Sequence, residues 1–506
     1  MESIVYETQP LLRGMVVGTI MLLCYRYGLA LSILQLYLNF MYRITNEKGK
    51  PLRGPEFSWP NGQTVEKFLQ GGQKSFSWQA YGPLYRIWTV FRPEVVITRP
   101  EDVKAFFFDS HTHQKAASSN AGWLFSQILG DCLGLINGER WSRVRHAFDP
   151  FFTRKISAQR LPHIMAAGEG YVNEVHQYDL GGKQAASTIN LNAVDAFQRF
   201  PFFYVAEIIY GPLGITERVE LWKLAETHTN IFRRLVQGGI HRYKATKFLS
   251  TSAYKETAHF VAAWRQFTLE LAQKQLREGR TSPLTDLMAE VEDGKVTLNE
   301  VLHTIDESLF ANLDVTTHVL TWAIVLLGNH PDVQELVRSE IKANTNDLET
   351  YMNRKDTLLH YSLLESLRVR PLLAFTIPES AQEDKVLSGY RVPKNTDVVV
   401  DVNALHLRNP FWGADRMQYR PQRFQVLSKA EIRYNLSTFG FGPRKCLGQH
   451  MAENMIKAIL VPLLRQFRFK LLADQYKNGE YKVDKTNWVT LSDVNLEMER
   501  VPSGGS

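Results

Sequence analysis

The sequence predicts a mainly helical α+β domain with small β-sheets behind an apolar N-terminal helix. Three observations predict it: helical hydrophobic period runs through most of residues 63–506, only two short stretches read as strands, and residues 14–42 carry one charge, Arg26. A chain of 506 residues with 44% hydrophobic and 11% aromatic residues can bury a large core. Its three cysteines, Cys24, Cys132 and Cys446, are odd in number and far apart. That argues against a disulfide framework or a zinc cluster and fits a reducing, cytosol-facing compartment. The net charge of +7 and the pI near 9.0 come without a basic run or a nucleic-acid motif. Nucleic acid is therefore not the expected partner, and the charge reads as steering toward a protein or a membrane.

The 14–42 run exceeds the roughly 20 apolar residues that a bilayer crossing needs. Residues 1–45 therefore read as a membrane anchor, and because Arg26 is costly at mid-bilayer unless it snorkels, a buried or interfacial helix is the alternative. Glu2 and Glu7 spoil the basic start of a cleaved signal peptide. Arg43, Lys48, Lys50 and Arg53 follow the run, so the positive-inside tendency puts the body in the cytoplasm. Pro51, Pro55 and Pro60 make residues 46–62 a stiff hinge, and residues 63–506, with no repeat or linker, read as one domain.

Within that domain, residues 84–98 predict two strands turning at Arg92-Pro93-Glu94, and Pro100-Glu101-Asp102 opens a helix. Residues 389–402 predict a second strand pair turning at Pro393-Lys394-Asn395. Thr297 and Glu300 have capping-box spacing, and apolar period continues to the stop at Gly328–Pro331. A helix of about 30 residues there must cross the centre of the domain. Asp314, Thr316, Thr317 and His318 interrupt its apolar turns; taken alone, such threonines bond back to helix carbonyls and such an acid faces solvent. Glu365 and Arg368 share a helix face at i,i+3. Leu363, Leu364, Leu367 and Val369 around them predict a buried pair in need of a further partner, which Arg423 in YRPQRF offers.

The richest stretch is STFGFGPRKCLGQHMAE, residues 437–453. Cys446 starts a helix, where the macrodipole, Arg444 and Lys445 favour the thiolate. Gly440, Gly442 and Gly448 clear space for a flat ligand close to backbone. Nucleophile and metal ligand both remain open for this thiol, although no His/Asn partner is identifiable by spacing.

Phe439 to Gly448, FGFGPRKCLG, resembles the cytochrome P450 haem-binding signature at every defining position. Glu365 and Arg368 resemble the family's E-x-x-R pair, and residues 419–424 its P-E-R-F segment with Gln422 in place of the acid. GERWSRVRHAFDPFF, residues 138–152, is similar to the family's propionate-binding helix. The resemblance implies a P450-type helical fold and haem b, with Cys446 as axial iron ligand and Trp141, Arg145, Arg444 and Phe439 as haem contacts. It also implies a structural network of Glu365, Arg368 and Arg423. A microsomal, eukaryotic-type monooxygenase follows, anchored in the endoplasmic reticulum and facing the cytoplasm. It would use O2 and electrons from NADPH–cytochrome P450 reductase to oxidise a small, largely apolar molecule.

The resemblance has one departure. Spacing back from Pro331 puts Asn312 at the family's glycine, Asp314 at its acid and Val315 at its threonine. Val315 cannot hydrogen-bond bound oxygen, so Asp314 and Thr316 become the candidate catalytic pair. A non-hydroxylating enzyme, performing coupling, dehydrogenation or isomerisation, is the alternative. The pocket is expected near residues 120–128, 310–315, 372–377 and 487–493. Arg140, Arg143, Arg154, Lys155 and Lys445 would receive an acidic reductase. NLDVTTHVLTW is similar to fungal secondary-metabolite members, including some that oxidise diketopiperazines.

Overall fold

The computed structural model describes residues 3–181, 188–485 and 487–501. Helices surround a core to which the segment between Leu124 and Met498 contributes, and a smaller apolar cluster lies between the N-terminal sheet and the cysteine loop. The main sheet has five strands in the order Leu84–Thr89, Arg92–Ile97, Asp397–Val400, Glu379–Ser380, Gln114–Lys115. Its second and third strands run parallel, with Glu94 opposite Asp397 and Ile97 opposite Val400. A three-stranded sheet joins Thr188–Asn192, Asn495–Arg500 and Phe467–Leu471. The mixture of many helices and small sheets is the expected fold class.

A helix over Ser3–Met41 leads in. Its base is seated on the domain: Leu38 is buried with Phe57 and Trp88. The proline-containing segment is laid along the sheet edge. Arg86 N–H donates to Arg53 O at 2.8 Å, and a Cβ on Gly54 would come 1.8 Å from Arg86 O. Only glycine allows that approach.

Three local expectations are corrected. The first strand pair turns at Val90-Phe91, two residues early, because Arg92 and Pro93 already pair with Thr89 and Trp88; Val90 carries the turn with φ 54°. Tyr390–Val392 and Asp397–Val400 do not pair with each other. The former makes a hairpin with Lys385–Leu387, and the latter lies inside the main sheet, so tertiary pairing overrides the local hairpin pattern. The long central helix is two helices.

That break is the most consequential correction. A front helix, Leu298–Leu309, begins at the expected Thr297–Glu300 capping box, and a central helix, Leu313–Asn329, ends at His330-Pro331. Between them Asp306 O accepts both Phe310 N–H at 2.8 Å and Ala311 N–H at 3.2 Å, a local widening that opens the helix at residues 310–312. Phe310 is pinned there by the rings of Phe202, His228, Phe260 and Trp264. Together the pair is long and apolar enough to cross a membrane, but most of it is buried in the protein, as a core helix is.

Candidate active site

The loop before Cys446 is shaped by Gly440 and Gly442, whose φ values of 82° and 66° lie in the left-handed region. A Cβ on Gly442 would also come 2.4 Å from Ser110 Oγ. The loop returns Cys446 N–H to Phe439 O at 2.9 Å and delivers the sulfur to the start of the helix Gln449–Gln466. Protein surrounds the thiol. Burial pushes its pKa up, opposed by the backbone N–H groups of Gly448 and Gln449 and by Arg145. Cys446 is nevertheless exposed, and a Cβ on Gly448 would meet open space.

Behind that loop the sequence-predicted pair is fully buried. Glu365 accepts from Arg368 at 2.7 and 2.8 Å and from Arg423 Nε at 2.9 Å. Arg368 spends its remaining donors on the carbonyls of His406, Arg416 and Gln418. Arg423 reaches Trp412 O at 2.8 Å, and Asp415, 3.4 Å from Arg423, supplies an acid where Gln422 does not. His406 was not legible in the sequence, since no motif marks it. Its Nε2 accepts Ser437 N–H at 2.8 Å, which ties the network to the first residue of the cysteine loop. Burial and the Arg368 charge pull His406 down to about 3, so it is a neutral acceptor there.

The expected propionate contacts are brought together, with their donors engaged inside the protein. Arg145 Nε donates to Asp149 at 2.6 Å. Arg444 lies over the Trp141 ring at 4.7 Å and holds Asn137 Oδ1 at 3.0 Å and Ile136 O at 2.9 Å. Burial draws Arg444 down to about 10. Residues 131–137 are gripped from the other side by a polar stripe on the front helix. His303 accepts Asp131 N–H at 3.0 Å, Thr304 accepts Leu133 N–H at 3.1 Å, and Glu307 accepts Gly134 N–H at 3.0 Å. Burial raises the Glu307 carboxyl. This stripe was also missed: its spacing is visible, but its target is not.

Arg140 is not free for a partner. It pairs with Glu300 and Asp131, each at 2.8 Å, while Arg143, Arg154, Lys155 and Lys445 are exposed as expected.

Across the molecule, Leu313 and residues 317–328 of the central helix are buried, whereas Ala311, Asn312, Asp314, Val315 and Thr316 are half-buried although they lie at the helix break in the interior. Burial raises the Asp314 carboxyl, opposed by the side chain of Asn487, then by Arg233 and Trp488. Among the described residues the buried Asn487 amide has no well-formed hydrogen bond. Thr316 N–H donates to Asn312 O at 3.0 Å, in the first turn after the break, and Val315 stands between the two candidate catalytic residues.

The geometry joins a helix-start thiol, a buried acid–guanidinium network behind it and a broken helix lined with half-buried groups. A family model for cytochrome P450 matches residues 61–487. Among curated relatives, cytochrome P450 monooxygenase sirC of Leptosphaeria maculans is 93% identical over 506 residues, the full length of both chains. Cytochrome P450 monooxygenase hasH of Aspergillus fumigatus is 43% identical over 92% of this chain and 88% of its own. Cytochrome P450 monooxygenase gliC of the same species is 34% identical over 94% of each. By its matched domain and its full-length likeness to these enzymes, the chain belongs to the cytochrome P450 family and is a monooxygenase.

Proposed function

We propose that Cys446 is the axial ligand of haem b and that the enzyme oxidises a small, largely apolar secondary metabolite with O2 and electrons from NADPH–cytochrome P450 reductase. The observation that carries this reading is the exposed Cys446 thiol just ahead of a helix start, with open space where a Gly448 Cβ would lie. The residues fit a flat iron porphyrin: glycine clearance lies beside the sulfur, and Trp141, Arg145 and Arg444 cluster near it. When bound, the haem supplies O–O bond activation, favoured by thiolate donation.

The chain's own residues supply the rest. Trp141 and Arg145 would hold the haem propionates, Arg145 being bonded to Asp149 in this structure, and Phe439 would contact the haem. Glu365, Arg368 and Arg423 keep the cysteine loop rigid. Asp314, whose carboxyl burial shifts upward, relays a proton, and Thr316 passes it on where Val315 cannot. Apolar side chains near residues 310–315 and 372–377 exclude water and orient the substrate.

The Ser3–Met41 helix, with Leu29, Ile33, Leu36 and Phe40 exposed, serves as the anchor in the endoplasmic reticulum, the domain facing the cytoplasm. The exposed Arg143, Arg154, Lys155 and Lys445 receive an acidic reductase. The relatives' names favour oxygen insertion over the non-hydroxylating alternative.

The test is to incubate enzyme and reductase with host metabolite extract. A compound consumed only with NADPH and O2, and replaced by an oxygenated product, is expected. Conversion without either co-reactant would overturn the reading.

A further inference from the structure

His318 lies four residues beyond Asp314 on the central helix, fully buried, with both ring nitrogens against backbone carbonyls. Nδ1 is 3.0 Å from Thr490 O and Nε2 is 3.0 Å from Arg370 O. Trp322, four residues further, donates its ring N–H to the same Thr490 O at 2.8 Å. Burial draws His318 down to about 4, so the ring is neutral at physiological pH and donates from one nitrogen only. Two donors thus meet two carbonyls: Trp322 serves Thr490, and His318 Nε2–H serves Arg370.

Each carbonyl belongs to a segment whose other end is fixed elsewhere. Thr490 is in the turn joining Val483–Asp484 to Leu491–Ser492, the turn that brings Asn487 and Trp488 to Asp314. Beyond Arg370 the chain is next held at Ala374, whose carbonyl accepts Val402 N–H at 2.8 Å, and at Thr376, which exchanges hydrogen bonds with Val400. Pro371, Leu372 and Leu373 bridge the gap half-buried. The Arg370 guanidinium caps the arrangement, 4.6 Å over Trp322 and 4.8 Å over Tyr481.

We propose that His318 and Trp322 are positioning residues that set the spacing of two substrate-pocket walls, residues 370–377 and 487–492, against the central helix, and so determine where on the substrate oxidation falls. The proposal rests on the reading that these segments line the pocket.

The experiment compares hydrogen exchange of the haem-loaded enzyme with that of His318→Phe, His318→Gln and Trp322→Phe. His318→Phe should speed exchange across 370–377 by roughly tenfold or more, the consequence of an orphaned buried carbonyl. His318→Gln, which keeps one N–H donor, should restore part of that protection. Trp322→Phe should instead speed exchange across 487–492. In each variant 4-phenylimidazole should bind the haem several-fold differently while imidazole, too small to feel the walls, binds as before. Unchanged exchange in both segments, or a uniform rise along the chain in all three variants, would overturn the tethers. Exchange that responds as stated while both azoles bind unchanged would overturn the pocket reading, and the proposal with it.

Discussion

The two sides of the proposed haem site, the one behind Cys446 and the one along the central helix that we assign to oxygen, are held by different means. Behind Cys446, Glu365, Arg368 and Arg423 form a saturated charge network in which every interaction lies within 58 positions of its partner. Along the central helix, His318 reaches Arg370 O across 52 positions and Trp322 reaches Thr490 O across 168, each through a single neutral hydrogen bond. Buried paired charges fail as a unit when one is removed, whereas neutral contacts yield by steps. Damage on the cysteine side should therefore be all-or-none, and damage on the oxygen side graded.

The sharpest break is Cys446→Ser. It should abolish the red-shifted CO-bound band and reduce turnover to background, because the hydroxyl cannot replace thiolate donation. Retention of both signals would remove Cys446 from its assigned place. Next comes Glu365→Gln, which leaves two buried guanidinium groups short of their shared carboxylate. A loss of about 3–5 kcal/mol is expected. It should read as a collapse in Tm and in the haem content of purified protein. A variant that still loads haem and unfolds within a few degrees of the parent would show that the cysteine side is no more cooperative than the oxygen side.

Acid should expose both sides at once. His406, His318 and His360 are drawn down to about 3, about 4 and about 2, each chiefly by burial. In the unfolded chain these rings take up protons near pH 6.5. The folded pKa values are depressed, so their contribution to stability is intact above pH 6.5 and is lost as pH falls toward those values. Between pH 6.5 and 5 each ring should contribute a loss of up to about 2 kcal/mol. Urea midpoints measured at pH 5, 6.5 and 8 check this: a flat upper interval and a falling lower one are expected. Replacing His406 with glutamine should remove about a third of the fall in the lower interval, and an unchanged slope would mean that the ring is already charged in the fold.

The same contrast explains what could be read in advance. Glu365, Arg368 and Cys446 announce themselves because short spacing places them on one helix face or at a helix start, where charge and burial conflict unless a partner exists. Arg423 followed from that need. The helix break at residues 310–312 was not legible: apolar period runs through it, and only the rings packed around Phe310 select the opened form. His406 and the His303–Glu307 stripe were missed, and His318 was seen only as an interruption of an apolar helix, because each serves a backbone group in a distant loop, and a backbone N–H or carbonyl has no sequence signature. Trp141, Arg145 and Arg444 were found as residues, but their present partners, Asp149 and the 133–137 loop, were not.

On the oxygen side, Asp314→Asn tests whether the carboxyl beside Asn487 carries protons or only packs. A working relay predicts less product and more hydrogen peroxide per NADPH consumed. Because the amide preserves the shape, stability and CO spectrum should stay at the parent level. Unchanged coupling would leave Asp314 as a contact for the 487–492 turn alone.

The smallest expected effect belongs to Val315→Thr. The residue is half-buried in the first turn after the break, between Asp314 and Thr316, so a hydroxyl fits without a new cavity. If Thr316 already serves the oxygen, the second hydroxyl is redundant. Substrate affinity should then shift by about 1 kcal/mol or less, from exchanging a methyl for a hydroxyl, with the product ratio unaltered. If Thr316 points away from the oxygen, Val315→Thr supplies the missing donor, and coupling of NADPH to product should rise. The two outcomes are separated by product ratio and peroxide yield at saturating substrate, where affinity no longer contributes. A rise in coupling would mean that the oxygen side is tuned below its best performance by one side chain, the graded behaviour that the cysteine side does not permit.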